Sequence, residues 1–167
     1  ENGTVLAAER AAAAGIAVVE WDTEIQSDKI VSQVDHKHNS AIGTEVVGSY
    51  FVQVAKLTGE HLYILAPWTS HAMSTIRNRH QGFHTAVDAY PDLITVVEFG
   101  PETVSSNEMV MTIVMEAFAT HPELNALFID DGGGSGAVEG LKAMGRLLPE
   151  NDPRHIYTAF NDCDSVT

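Results

Sequence analysis

Ile76-Arg77-Asn78-Arg79-His80-Gln81-Gly82-Phe83 decides how this chain is read. It sets two arginines and a Gly-Phe pair early in a helical pattern, just after the apolar run Leu62-Tyr63-Ile64-Leu65-Ala66. An apolar strand that ends in a loop and leads into a helix with a fixed cation suggests a small-ligand site at the strand's carboxyl end. Arginine suits such a place because its planar fork holds two oxygens at once and keeps its charge. A solvated helix face is the plain alternative, and Arg77 is assigned to it. Four other segments place polar residues at equivalent strand ends, which favours a ligand site.

Outward from this stretch the chain alternates short β-branched runs with longer helical ones. Helices are predicted over 5–14, 40–57, 70–90, 106–120 and 136–148. Gly15, Thr58-Gly59, Pro91 and His121-Pro122 act as stops. Strands are predicted at Ile16–Val19, Ile30–Val34, Leu62–Ala66, Leu93–Phe99, Ala126–Ile129 and His155–Phe160, and Glu20-Trp21-Asp22 carries the chain out of the first of them. Six apolar strands interleaved with helices give an α/β fold with mostly parallel sheets covered by helices. Thr58-Gly59-Glu60 is the expected crossing between two domains, dividing the chain into 1–58 and 59–167.

Composition narrows the function. The 167 residues are 44% hydrophobic and 19% charged, enough for a real core. A net charge of −14 with only nine Lys and Arg argues against nucleic acid, because little would replace the counterions on a phosphate backbone. No apolar stretch reaches membrane-spanning length, so no membrane insertion is expected. The single cysteine, Cys163, forms no disulfide framework and lies between Asp162 and Asp164, which disfavour a thiolate. The start at Glu1 and the stop just after an apolar run are those expected of an internal portion of a longer protein, so the missing signal peptide says nothing about secretion.

The residues just past each strand are the candidate ligand shell: Asp22, Asn39, Trp68 with Arg79 behind it, Asp130 or Asp131, and Asn161. Carboxylates, amides and one guanidinium suit a polyhydroxylated, uncharged ligand, because hydroxyls donate to carboxylates, accept from arginine and do both with amides. Each has a plainer role as well. Asp22 can be a loop carboxylate or a helix cap, Asn39 can cap the helix that starts at Ser40, and Asn161 can make a turn. Trp68 can stack on a sugar ring or fill a domain rim.

Other chemistries are poorly served. His36 and His38 form a pair on a loop, with Asp35 beside them, but no third ligand stands at useful spacing and the remaining histidines read as dispersed, so no metal is expected. Asp130-Asp131-Gly132-Gly133-Gly134-Ser135-Gly136 lacks the Gly-Lys-Ser/Thr ending of a phosphate loop, and its carboxylates would repel phosphate. No dinucleotide fingerprint, nucleophile elbow or other catalytic constellation is present, so no cofactor and no enzyme activity are expected.

Several stretches, in order, resemble the periplasmic sugar-binding proteins of the ribose-binding type. Gly15–Asp22 resembles "G-I-P-V-V-x-x-D", and His38–Gly43 resembles "D-N-x-x-x-G". Arg79–Phe83 resembles "R-x-x-G-F", and His121–Phe128 resembles "H-P-D-x-x-A-x-F". Gly136–Gly145 resembles "G-A-x-x-A-L-K-x-x-G", and Phe160-Asn161 stands at "G-F-D". The resemblance implies two α/β lobes that close about a hinge on a monosaccharide or similar polyol, delivered to the permease of an ABC importer. It implies a periplasmic or lipid-anchored extracellular location and carries ligand positions onto Asp22, Asn39, Arg79 and Asn161. It leaves Asp130 and Asp131 as alternatives. The chain would then run from late in the first lobe through most of the second. Departures stand at Thr23, His38, Val104 and Asn161. A LacI-type regulator's effector-binding portion shares the fold, and an autoinducer-2 binding protein shares the wording around Glu20–Thr23.

Overall fold

The computed structural model describes residues 2–22, 24–35, 37–71, 73–100 and 106–162, and of these the side chains at 2, 22, 35 and 37–39 are left aside. The expectations on Thr23, His36, Val104 and Cys163 lie outside the described residues. Eleven elements follow in order: α1 (Asn2–Ala13), β1 (Val18–Asp22), β2 (Ile30–Asp35), α2 (Lys37–Thr58), β3 (Leu62–Leu65), α3 (Ser74–Val87), β4 (Ile94–Val97), α4 (Asn107–Thr120), β5 (Ala126–Ile129), α5 (Gly134–Ala143) and β6 (Tyr157–Phe160). Every strand pair is parallel. Strands β1 and β2 form one sheet, and β4-β3-β5-β6 form the other.

The four-stranded sheet is covered on both faces, as period-2 alternation requires. Leu62, Ile64, Ala126 and Phe128 share a core with Phe51, Val52 and Ala55 of α2 and with Phe83 and Val87 of α3. Leu65, Leu127 and Ile129 point the other way, into Val110, Val114 and Ala117 of α4 and Ala137 and Leu141 of α5. Helix α2 therefore shares its core with the unit that starts at β3. Gly82 shows how close α2 and α3 come: a Cβ there would collide with the Ala41 carbonyl. That contact gives the glycine of the R-x-x-G-F stretch a packing reason. Asn125 pins the start of β3 to β5, accepting from Tyr63 N–H at 2.8 Å and donating to the His61 carbonyl at 3.0 Å.

Two elements depart from the sequence reading. Glu20, Trp21 and Asp22 do not leave the sheet; they are the second half of β1, paired with Gln33, Val34 and Asp35. Helix α2 begins at Lys37, so Asn39 lies in its first turn rather than capping a helix from Ser40. Among the described residues no helix is long and apolar enough to cross a membrane.

Candidate ligand site at the strand tips

In the four-stranded sheet, β3 is followed by β4 on one side while β5 lies on its other side. The strand order reverses there, and the crevice outside the carboxyl ends of β3 and β5 is where a doubly wound sheet offers a site. Helix α3 enters this crevice. Its buried stripe is Ile76, His80, Phe83 and Val87, at alternating steps of four and three.

Arg79, one step off the stripe, reaches across the tips of β5 and β6. Its Nη1 donates to the Asp130 carbonyl at 2.8 Å, to Asp131 Oδ1 at 2.9 Å and to Asp162 Oδ2 at 3.0 Å. With its oxygen turned to the guanidinium, the Asn161 amide accepts from Nε at 2.9 Å and Nη2 at 3.3 Å. The Arg79 side chain is 14% exposed, against 35% for Asp131 and 43% for Asp162, so the cation lies beneath a rim of carboxylates. Burial pushes the Asp131 carboxyl up. Hydrogen bonds to Asp162 and the Gly132 backbone, together with Arg79, outweigh that and hold it below the usual carboxylate range. Asp162 moves up, first through the hydrogen bond it shares with Asp131 and then through burial, against the pull of Arg79. Asp162 is thus the member of the pair that takes a proton first.

The structure brings Arg79, Asp131 and Asn161 together and adds Asp162, which sequence reasoning missed. Its position immediately after Asn161 in Phe160-Asn161-Asp162 was the available signal. The two glycine-turn carboxylates separate: Asp131 meets Arg79, whereas the Asp130 side chain is fully buried with Oδ2 2.9 Å from His80 Nε2. Trp68 is half-buried, its indole stacked on His80 at 3.6 Å between centroids and on His71 at 4.1 Å. Arg77 is exposed and donates to the His71 carbonyl. The side chains of Asp22 and Asn39 lie outside those described. A concavity of about 470 Å³ lies instead against β2, walled by Glu20, Gln26 and Asp28, and holds none of these tip residues.

The histidines are less dispersed than the sequence suggests. His80 and His84, one turn apart on α3, converge with Glu98 at the tip of β4, and the three offer ligand atoms within 4.8 Å of one another.

No protein-family model matches the sequence, and no curated protein matches it either. Solved structures do. An ABC transporter solute-binding protein from Mycobacterium smegmatis with bound glycerol is 27% identical, over 83% of this chain and 46% of its own, at a TM-score of 0.71. A glucose-galactose binding protein from Geobacillus stearothermophilus is 18% identical, over 93% of this chain and 51% of its own, also at 0.71. A Mycobacterium smegmatis protein in complex with β-D-fucofuranose is 16% identical, over 92% and 49%, at 0.74. The chain spans about half the length of the structures it matches. Its fold is that of a portion of a type I periplasmic sugar-binding protein, as the ordered motifs imply.

Proposed function

We propose that this chain is the ligand-binding portion of a solute receptor for a neutral monosaccharide or similar polyol, serving an ABC importer from the periplasm or, lipid-anchored, from the cell exterior. The observation that carries this is the shell at the β5 and β6 tips. One guanidinium set against two carboxylates leaves one negative charge. Such a set repels phosphate and carboxylate ligands, while its acceptors suit hydroxyl donors. The glycerol and fucofuranose complexes of structurally similar proteins support the same reading. The receptor does no chemistry; hinge closure selects the ligand.

In this reading Arg79 is the organiser. It holds Asp131, Asn161 and Asp162 at the positions from which they meet hydroxyls. Asp22 acts from the opposite lobe, and Asn39 acts from the first turn of α2, beside the passage between lobes. We place the passage between lobes ahead of α2 rather than at Thr58–Glu60, because α2 packs its Phe51, Val52 and Ala55 into the four-stranded unit. The exposed apolar side chains of β1 and β2, Val19, Val31 and Val34, then face the rest of the first lobe.

A thermal-shift panel on the full-length protein tests this, since a ligand that binds only the folded state raises its melting temperature. Neutral pentoses, hexoses and polyols are expected to include at least one that shifts the melt, and their phosphates are not. Trp68→Ala is expected to keep the sugar response and Arg79→Ala to lose it. A panel in which only sugar phosphates respond, or in which Arg79→Ala responds like the parent, overturns the proposal.

A further inference from the structure

His80 stands in the buried apolar stripe of α3, yet it is an imidazole. It is 1% exposed, and neither ring nitrogen makes a hydrogen bond among the described residues. Nε2 does lie 2.9 Å from the buried Asp130 Oδ2, off hydrogen-bond alignment. Nδ1 faces Glu98, 3.9 Å from Oε1. One turn on, His84 sets Nε2 3.3 Å from the same Glu98 oxygen, and this buried nitrogen also lacks a hydrogen bond. The other His84 nitrogen, Nδ1, pairs with Asp88 Oδ1 at 2.9 Å.

We infer that His80 Nδ1, His84 Nε2 and Glu98 Oε1 form a binding site for a divalent transition metal of the zinc class. Three observations converge. First, nitrogen and oxygen ligands about 2.0–2.1 Å from a tetrahedral zinc stand about 3.3 Å apart; the Glu98 contacts are 3.3 and 3.9 Å, and all three ligand atoms lie within 4.8 Å. Second, each imidazole offers one nitrogen to Glu98 and has its other beside a carboxylate, Asp130 for His80 and Asp88 for His84. That is the outer arrangement that fixes tautomer and ring direction in histidine–metal sites. Third, a buried polar nitrogen without a partner is costly, and a metal bond would satisfy His80 Nδ1. Trp68, stacked on the His80 ring, holds its plane. Two imidazoles and a carboxylate suit zinc, cobalt, nickel or copper rather than calcium or magnesium.

The site would clasp α3 to the tip of β4 and leave a coordination position toward solvent, where Glu98 is 45% exposed. It does not depend on the sugar reading, since no hydroxyl-shell residue is a ligand.

Zinc titration by calorimetry and visible absorption with cobalt, on the full-length protein, test it. One equivalent of zinc is expected to bind and raise the melting temperature, and cobalt to give d–d bands of a low-coordinate site. His84→Ala and Glu98→Gln, both at partly exposed positions, are each expected to weaken zinc at least tenfold while the chelated protein melts near the parent. The His36→Ala/His38→Ala variant should bind zinc as the parent does. Absence of binding at micromolar zinc overturns the inference. So does binding that survives both single variants, or binding lost only with His36 and His38.

Discussion

Removing the Arg79 side chain should cost stability and should do so with a particular pH dependence. In Arg79→Ala the Asp130 carbonyl and the Asn161 amide lose their donors, at about 0.5–1.5 kcal/mol each. The two carboxylates are 35% and 43% exposed, so solvent screening reduces each ion pair to about 0.2–1 kcal/mol. Together the loss at pH 7 is about 1.4–5 kcal/mol. Asp131, held below its ordinary value, contributes stability that is present above an unfolded pKa of about 3.9 and is lost as pH falls through its lowered folded value. Asp162, held above its ordinary value, works in the opposite sense: its ionisation costs stability as pH rises past the unfolded value. Without the cation both carboxylates are repelled at pH 7 and are relieved by protonation. The deficit of the variant should therefore shrink between pH 7 and about 4.5. Urea unfolding followed by circular dichroism at both pH values reads this directly. A loss below about 0.5 kcal/mol at pH 7, the range of an ordinary surface change, refutes the placement of Arg79 as the organiser. So does a deficit that grows as pH falls.

Asp162→Asn removes a group whose folded environment disfavours its charge, so the variant is expected to be at least as stable as the parent at pH 7, by at most a few tenths of a kcal/mol after screening, with the advantage fading toward pH 4; urea midpoints decide it, and a loss above about 1 kcal/mol would count against the upward shift of Asp162. Gly82→Ala sets a gain of about 1 kcal/mol in helix propensity against a collision with the Ala41 carbonyl between two packed helices. Overpacking of about 1–3 kcal/mol or more is expected to win, lowering the melting temperature.

Much of this fold is legible because its strands are short apolar runs between clear helix stops. The β5 stretch Ala126–Ile129 is read to the residue, since it is buried on both faces and bounded by Asn125 and Asp130. The reading of β1 slips because Ile16 and Ala17 are as apolar as the strand proper, while Trp21 and Asp22 look like exit residues. Pairing with β2 extends the strand through them. The carboxylate Asp162 was hidden behind Asn161, where a turn was an adequate explanation. His80, His84 and Glu98 were hidden for a different reason. Spacing on α3 puts the histidines one turn apart, but only the β3–β4 register brings the end of β4 beside that turn. A histidine in the stripe Ile76–His80–Phe83–Val87 was the one local sign of it.

The tip of β5 gives Asp130 and Asp131 different partners. Neighbours on α3 engage neighbours just past the end of β5, Arg79 with Asp131 and His80 with Asp130. Successive side chains at a strand end point to opposite sides, and successive helix residues diverge by about 100°. One junction thereby supplies the proposed hydroxyl shell on one side and the histidine cluster on the other. Near-isosteric amides separate the two. Asp130→Asn keeps the backbone carbonyl that Arg79 uses and removes only the charge beside His80. It is expected to leave the sugar-induced melting shift in place and weaken zinc by about tenfold or more, the usual effect of losing a carboxylate behind a metal-bound histidine. Asp131→Asn removes the charge paired with Arg79 and is expected to do the converse, reducing the sugar response with zinc binding unchanged. Paired sugar and zinc titrations of both variants decide the matter. If Asp130→Asn abolishes the sugar response while the protein stays folded, the division of the β5 tip into two sides is wrong.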